Sequence, residues 1–158
     1  GKNMAPRQHM RKMKVGKVTF TEAYKAVNEY RRKFPEKAVT FYAQNYPAMG
    51  WAVFMAGGSC PVIPCKDKAF LKDAAVMEVE ETDSEDYKKM VKSGIGSIIY
   101  SNSGVEVPVQ LSSGKYILRY IHPDSGEMEV ISKSLKINNV YTLKVPDGKE
   151  GVYWFHRL

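Results

Sequence analysis

The chain has 158 residues, 44% of them apolar, with 24 Lys or Arg against 17 Asp or Glu and two cysteines. That length holds one full hydrophobic core, or one domain and a remnant of another. No window approaches the roughly 18 consecutive apolar residues of a membrane helix. The basic N-terminus is followed by no apolar stretch with a small-residue cleavage site, so neither a membrane partner nor a signal peptide in this chain is expected.

The net charge of +7 is unevenly placed: residues 1–37 carry eleven Lys or Arg against three Glu, and residues 38–158 carry thirteen against fourteen Asp or Glu. Residues 1–18 are polar and basic without periodicity and read as a basic arm. Such an arm can hold a phosphate backbone. Nucleic-acid modules pair it with a recognition helix or an aromatic platform, however, and neither is visible, so a nucleic-acid partner is not expected and a basic-arm polyanion-binding protein is the weakest of three functional readings.

Residues 19–65 carry a helix-strand-helix-strand rhythm. Thr19 with Glu22 three residues on reads as a capping box, and Phe20, Tyr24, Val27, Tyr30 or Arg31, and Phe34 recur at helical spacing until Pro35 ends the run. Ala38 to Ala43 is an apolar run of strand length without strict alternation, which suits a strand covered on both faces. Pro47 opens a second helix, Ala48 to Ala56, apolar nearly all round and stopped by Gly57-Gly58. Cys60 to Pro64 reads as a short strand. Cys60 and Cys65 read as buried thiols, with a disulfide across the stiff loop as the alternative.

Residues 66–93 read as an acidic connecting region with short helices near Ala69–Met77 and Ser84–Ser93. The run Glu78-Val79-Glu80-Glu81-Thr82-Asp83 lacks the glycine-marked loop and spaced ligands of a calcium site, so no metal is expected and a solvated linker is. From residue 94 to 158 the pattern is antiparallel β, with strands near Ile95–Ser101, Val105–Leu111, Lys115–His122, Met128–Ser132, Leu135–Ile137, Tyr141–Val145 and Gly151–His156. In Gly114 to Glu127, Tyr116, Leu118, Tyr120 and His122 face one way and Ile117, Arg119 and Ile121 the other. Pro123 then presets the first turn corner and Gly126 supplies a positive φ. The fold class expected is α+β: a short N-terminal α/β remnant followed by an antiparallel β-sandwich.

Three stretches carry a family resemblance. Gly-Trp-Ala-Val-Phe-Met-Ala-Gly-Gly-Ser within Tyr46–Ser59, the strand and turn Gly114–Glu127, and the final Gly-Val-Tyr-Trp-Phe-His-Arg-Leu resemble the C-terminal end of a group of bacterial glycoside hydrolases. There a (β/α)8 barrel is followed by a small antiparallel β domain. The resemblance implies that Ala38–Ala43 and Cys60–Pro64 are late barrel strands. It also implies that only the last portion of the barrel is present, since the whole takes about 250 residues. An oligo- or polysaccharide partner, no cofactor and a periplasmic or secreted location are further implications.

Glycosidases need two carboxyl groups across one sugar bond, at the C-terminal ends of strands in a barrel. The strand end Phe41-Tyr42-Ala43-Gln44-Asn45-Tyr46 has none, so no catalytic residue is assigned in this chain. Tyr42, Gln44, Asn45 and Tyr46 could contact a saccharide by stacking and hydrogen bonding, or could cap a strand-to-helix connection. The alternative function is a non-catalytic glycan-binding module using exposed aromatics, Tyr120 and Trp154 foremost, with Tyr116 and Tyr153 beside them; core packing competes for all four. His122 and His156 read as strand-face residues without a chemical partner. The apolar helix bearing Trp51 is expected to lie exposed in this chain and to drive self-association or packing against the missing barrel portion.

Overall fold

Thr19 begins the first described helix as its sequence requires. In the computed structural model, which describes residues 19–38, 47–59 and 61–158, the Glu22 amide donates to Thr19 Oγ1 at 3.2 Å and the Thr19 amide to Glu22 Oε2 at 3.1 Å. This capping box opens α1, Phe20–Lys33, whose last turn carries Arg31, Arg32 and Lys33 where the helix dipole favours cations. A second helix, α2, Pro47–Met55, ends in a Schellman arrangement: the Gly58 amide donates to Val53 O at 2.8 Å and Gly57 takes φ 74°. Asp67 caps α3, Lys68–Val76, by accepting the Phe70 amide at 2.9 Å.

The strands are β1 Glu78–Glu80, β2 Tyr87–Lys92, β3 Gly96–Ser101, β4 Glu106–Gln110, β5 Gly114–Ile121, β6 Met128–Ile137, β7 Val140–Lys144 and β8 Gly151–Arg157. Six form one sheet in the order β1-β2-β3-β8-β5-β6, and β4 pairs with β7 in a second sheet. Among the described residues every strand pairing is antiparallel. The fold is α+β. Helices cover one face of the large sheet and the two-stranded sheet covers part of the other. On the helical side, Trp51, Phe54 and Phe70 pack with Ile98, Val152 and Trp154; on the far side, Tyr116, Leu118, Tyr153 and Phe155 pack with Val107, Val109 and Leu143. Both central strands, β3 and β8, are therefore buried on both faces.

Some local expectations are corrected. Residues 87–92, expected in a helix, form strand β2: Lys88 and Met90 are buried, and Tyr87 and Val91 pack with the other core. Residues 78–80, expected in a solvated linker, form the sheet's edge strand. Met128–Ser132 and Leu135–Ile137 are one strand, interrupted by register shifts opposite Tyr116, Leu118 and Arg119. Pro61 to Pro64 carries no strand. All of the expected strand Ala38–Ala43 except Ala38, and the basic arm 1–18, lie outside the described residues.

The apolar helix is also corrected. Trp51 is 0% exposed, and Ala52, Val53 and Met55 are buried with it against this chain's own sheet and helices. The ground on which exposure of α2, and self-association through it, was expected is gone. Trp51 reaches across to the His122–Glu127 turn, where its Nε1–H donates to Pro123 O at 2.8 Å. The turn itself is closed by the Gly126 amide donating to His122 O at 2.8 Å and the His122 amide to Glu127 O at 2.9 Å. Gly126 has φ 76°, and a Cβ there would come within 2.7 Å of Pro64 O. The turn is thus pressed, backbone to backbone, onto the loop that follows α2.

Two substitutions test this junction. Trp51→Phe keeps the aromatic packing but orphans the Pro123 carbonyl, and is expected to cost about 1–2 kcal/mol in urea denaturation. Gly126→Ala is expected to cost about 1–2 kcal/mol from left-handed backbone alone, and more because of Pro64. Stabilities within experimental scatter of the parent for both would contradict a docked turn.

Candidate functional site

The structure describes only some of the residues singled out by sequence. Tyr42, Gln44, Asn45 and Tyr46 lie outside the described residues. Tyr120 is 3% exposed and Trp154 1%, with Tyr116 and Tyr153 equally buried, so none of these rings has a face free for stacking in the manner the glycan-module alternative required. Core packing is what the rings do. Tyr120 Oη donates to Glu150 O at 2.6 Å, Tyr153 Oη to Lys149 O at 2.7 Å and Tyr116 Oη to Ser112 O at 2.6 Å.

His156, expected to be without a partner, has one. Asp73 on α3 is buried, and its Oδ2 accepts Trp154 Nε1–H at 2.9 Å and His156 Nδ1 at 2.7 Å. A carboxylate oxygen accepts, so Nδ1 is the protonated ring nitrogen. The Arg119 guanidinium carbon lies 4.8 Å from the Trp154 ring centre on the same sheet face. A His–Asp pair is two-thirds of a nucleophilic triad. Among the described residues, however, no Ser, Thr or Cys side chain is hydrogen-bonded to His156, and the pair acts as a staple between α3 and β8.

The second cluster surrounds the turn after β5. Glu129 receives His122 Nε2 on Oε1 at 3.2 Å and Lys149 Nζ on Oε2 at 3.1 Å, and these two bonds hold its carboxyl below the usual range. Lys149 also lies 5.1 Å from the Tyr120 ring centre, and Tyr120 packs on His122 and Tyr153. On one side of Tyr120 a recess of about 440 Å3 is lined by Tyr100, His122, Asp124 and Glu150. On the other a cleft of about 360 Å3 opens between β6 and β7.

A third opening, of about 790 Å3, lies on the helical side. Arg31, Arg32, Phe54, Ile63, Leu71 and Met77 are among its walls. Arg31 is held there by donating to Ala56 O at 2.9 Å, and Arg32 pairs with Glu81. The acidic run is therefore not free: Glu80 pairs with Lys89 at 2.9 Å, Glu85 with Lys25 at 3.3 Å, and buried Lys88 donates to Ser84 O at 2.9 Å. Burial lowers the Lys88 pKa, with its ammonium 4.7 Å from the Tyr24 ring centre. No cluster of metal-ligating side chains occurs among the described residues. Cys65 is a buried thiol whose pKa burial raises; Cys60 lies outside the described residues.

Comparison with known proteins adds three findings. A family model described as a domain of unknown function (DUF6298) matches residues 1–77. No curated protein matches. A solved structure named "Glycoside hydrolase" is similar at 15% sequence identity and a TM-score of 0.38, over 52% of this chain and 20% of that one. The chain thus spans about 20% of that structure's length.

Removing the staple should unlock α3. Asp73→Ala strands two donors and is expected to cost about 2–3 kcal/mol in urea denaturation, whereas Asp73→Asn retains an acceptor and should cost less. Equal, near-zero effects would mean that Asp73 holds nothing.

Alkaline pH tests the buried tyrosines. Burial, reinforced by Glu81, pushes Tyr24 from 10.0 up to about 12, and burial raises Tyr100 and Tyr153 as well. The folded state then holds these protons more tightly than the unfolded state. Their contribution is complete below pH 10 and is lost as the pH climbs through about 12. Unfolding free energy measured across that window should fall, less steeply in Tyr24→Phe; a flat profile would contradict the assignment.

Proposed function

We propose that this chain is the C-terminal part of a carbohydrate-active glycoside hydrolase acting in the periplasm or outside the cell, with its β layers as a structural cap. On this reading the catalytic carboxylates belong to a portion of the enzyme that packs on the helical side. Tyr42, Gln44, Asn45 and Tyr46 are the proposed saccharide contacts of this half. The observation that carries the proposal is the opening of about 790 Å3 on that side. Its walls mix apolar and charged groups, and Val62 beside it is 79% exposed, an apolar side chain at a surface that a packed neighbour would cover. The sequence motifs at Tyr46–Ser59, Gly114–Glu127 and Gly151–Leu158 support the same reading.

Catalysis by this chain alone finds no support among the described residues. Asp124 and Glu150 line one recess, but both are exposed, whereas the proton-donating acid of a glycosidase needs a desolvated setting. The purified chain, incubated with a panel of plant and bacterial polysaccharides, is expected to release no reducing sugar. Turnover by the chain alone would overturn the proposal. Leu71→Lys, at the surface of the opening, is expected to leave the thermal unfolding of the isolated chain nearly unchanged. A large loss would show Leu71 to be core rather than contact surface.

A further inference from the structure

We propose that the outer edge of β7, where it opens on the cleft of about 360 Å3 between β6 and β7, takes up an extended acidic segment of a partner protein as a third strand, a role independent of the preceding proposal. β7 pairs with β4 alone among the described residues. The Val145 amide donates to Val105 O at 2.9 Å and the Leu111 amide to Asn139 O at 3.0 Å, which sets the backbone groups of the odd-numbered residues of this strand toward β4. Those of Thr142 and Lys144 therefore point the other way, and both residues line the cleft while no residue of β4 does. Pro108, opposite Thr142, agrees with this phase, since a proline is tolerated where the ladder needs no N–H.

The two edges of this small sheet differ. On the β4 side Pro108 offers no donor, and its carbonyl already accepts Lys89 Nζ at 2.9 Å. On the β7 side Thr142 and Lys144 present two N–H and two C=O groups along an open slot, the arrangement by which an extended segment adds to a sheet. A third strand also suits the sheet itself, because two strands alone are marginal. The floor below the slot is apolar, formed by Leu118, Leu143 and Ile131, the last 52% exposed.

Alternation then divides the incoming strand. Side chains facing inward rest on that floor, and those facing outward run beside the exposed side chains of Thr142 and Lys144. Lys144 makes no ion pair among the described residues, and Lys149 stands at the cleft with Glu129, whose two oxygens already pair with His122 and Lys149. The open charge is positive, which selects carboxylates on the partner and turns away a basic segment. A second copy would have to break the pairs of Glu80, Glu81 and Glu85 with Lys89, Arg32 and Lys25 to supply them from its own acidic run. A saccharide finds no free ring face, since Tyr120 and Tyr153 are buried.

The test is protein-observed NMR titration of the whole chain with the heptapeptide Glu-Val-Glu-Val-Glu-Val-Glu, blocked at both ends. Saturable amide shifts are expected around the cleft, with hydrogen exchange slowed about tenfold or more at Thr142 and Lys144 and unchanged at Leu143, whose amide already faces β4. Lys144→Glu, at an exposed position, should weaken binding about tenfold, the scale of one charge-assisted hydrogen bond, and leave thermal unfolding unchanged. The same peptide with N-methylated amides, and its counterpart with Lys in place of Glu, should not bind; both controls are independent of how any variant folds. No saturable shift with the acidic peptide, equal affinity for either control peptide, undiminished affinity in Lys144→Glu, or binding that protects neither Thr142 nor Lys144 would each overturn the assignment. Protection of those two amides without peptide, growing with protein concentration, would give the edge to a second copy and equally overturn it.

Discussion

The hydrogen bond from Trp51 to Pro123 O is the constraint from which the rest follows. It is made between an apolar helix and a surface turn, and it lets α2 pack on the sheet without leaving the Trp51 indole N–H unsatisfied. Around it the aromatic rings mesh edge to face. Phe54 and Phe70 meet Trp51 at 5.5 and 6.2 Å, and Phe70 meets Trp154 at 5.4 Å. The neighbouring helices α2 and α3 and the distant strand β8 become one cluster because each contributes an aromatic ring at the same spot. The Asp73 staple lies at the edge of that cluster and fixes the orientation of Trp154.

Charge then decides what the sheet's edge does. β1 would be a bare three-residue edge, but Glu80 and Glu81 tie it to Lys89 and Arg32, and Lys88 reaches carbonyls of the loop beyond. Exposed pairs of this kind contribute little stability individually. Their effect here is positional: α1 is held over the β1–β2 edge, which discourages strand addition there.

Much of this was legible in the residues. The Thr19–Glu22 box, the period-two pattern of Tyr116 to Ile121 and the glycine of the turn are local signals, and each gave the element it announced. Strand β2 was not legible, because its inward residue Lys88 is charged and its alternation is disguised; the carbonyls of Thr82 and Ser84 and the Tyr24 ring make that burial tolerable. The chemistry of the clusters was less legible still. His156 and Asp73 are 83 positions apart, and Trp51 and Pro123 are 72 apart, so no spacing rule connects them. The same distance hid the burial of α2: an apolar helix looks partnerless until the sheet that covers it has folded.

The strand order carries a consequence for assembly. β8 follows all the other strands in sequence yet lies between β3 and β5. Before it inserts, β1–β3 and β5–β6 are two unconnected hairpin-like ladders, each with an open inner edge facing the other. Closure therefore depends on long-range contacts, and topologies that depend on such contacts fold slowly. During that interval the two open edges are where a foreign strand, or a neighbouring nascent chain, would compete with Val152 to Phe155 for the same backbone partners.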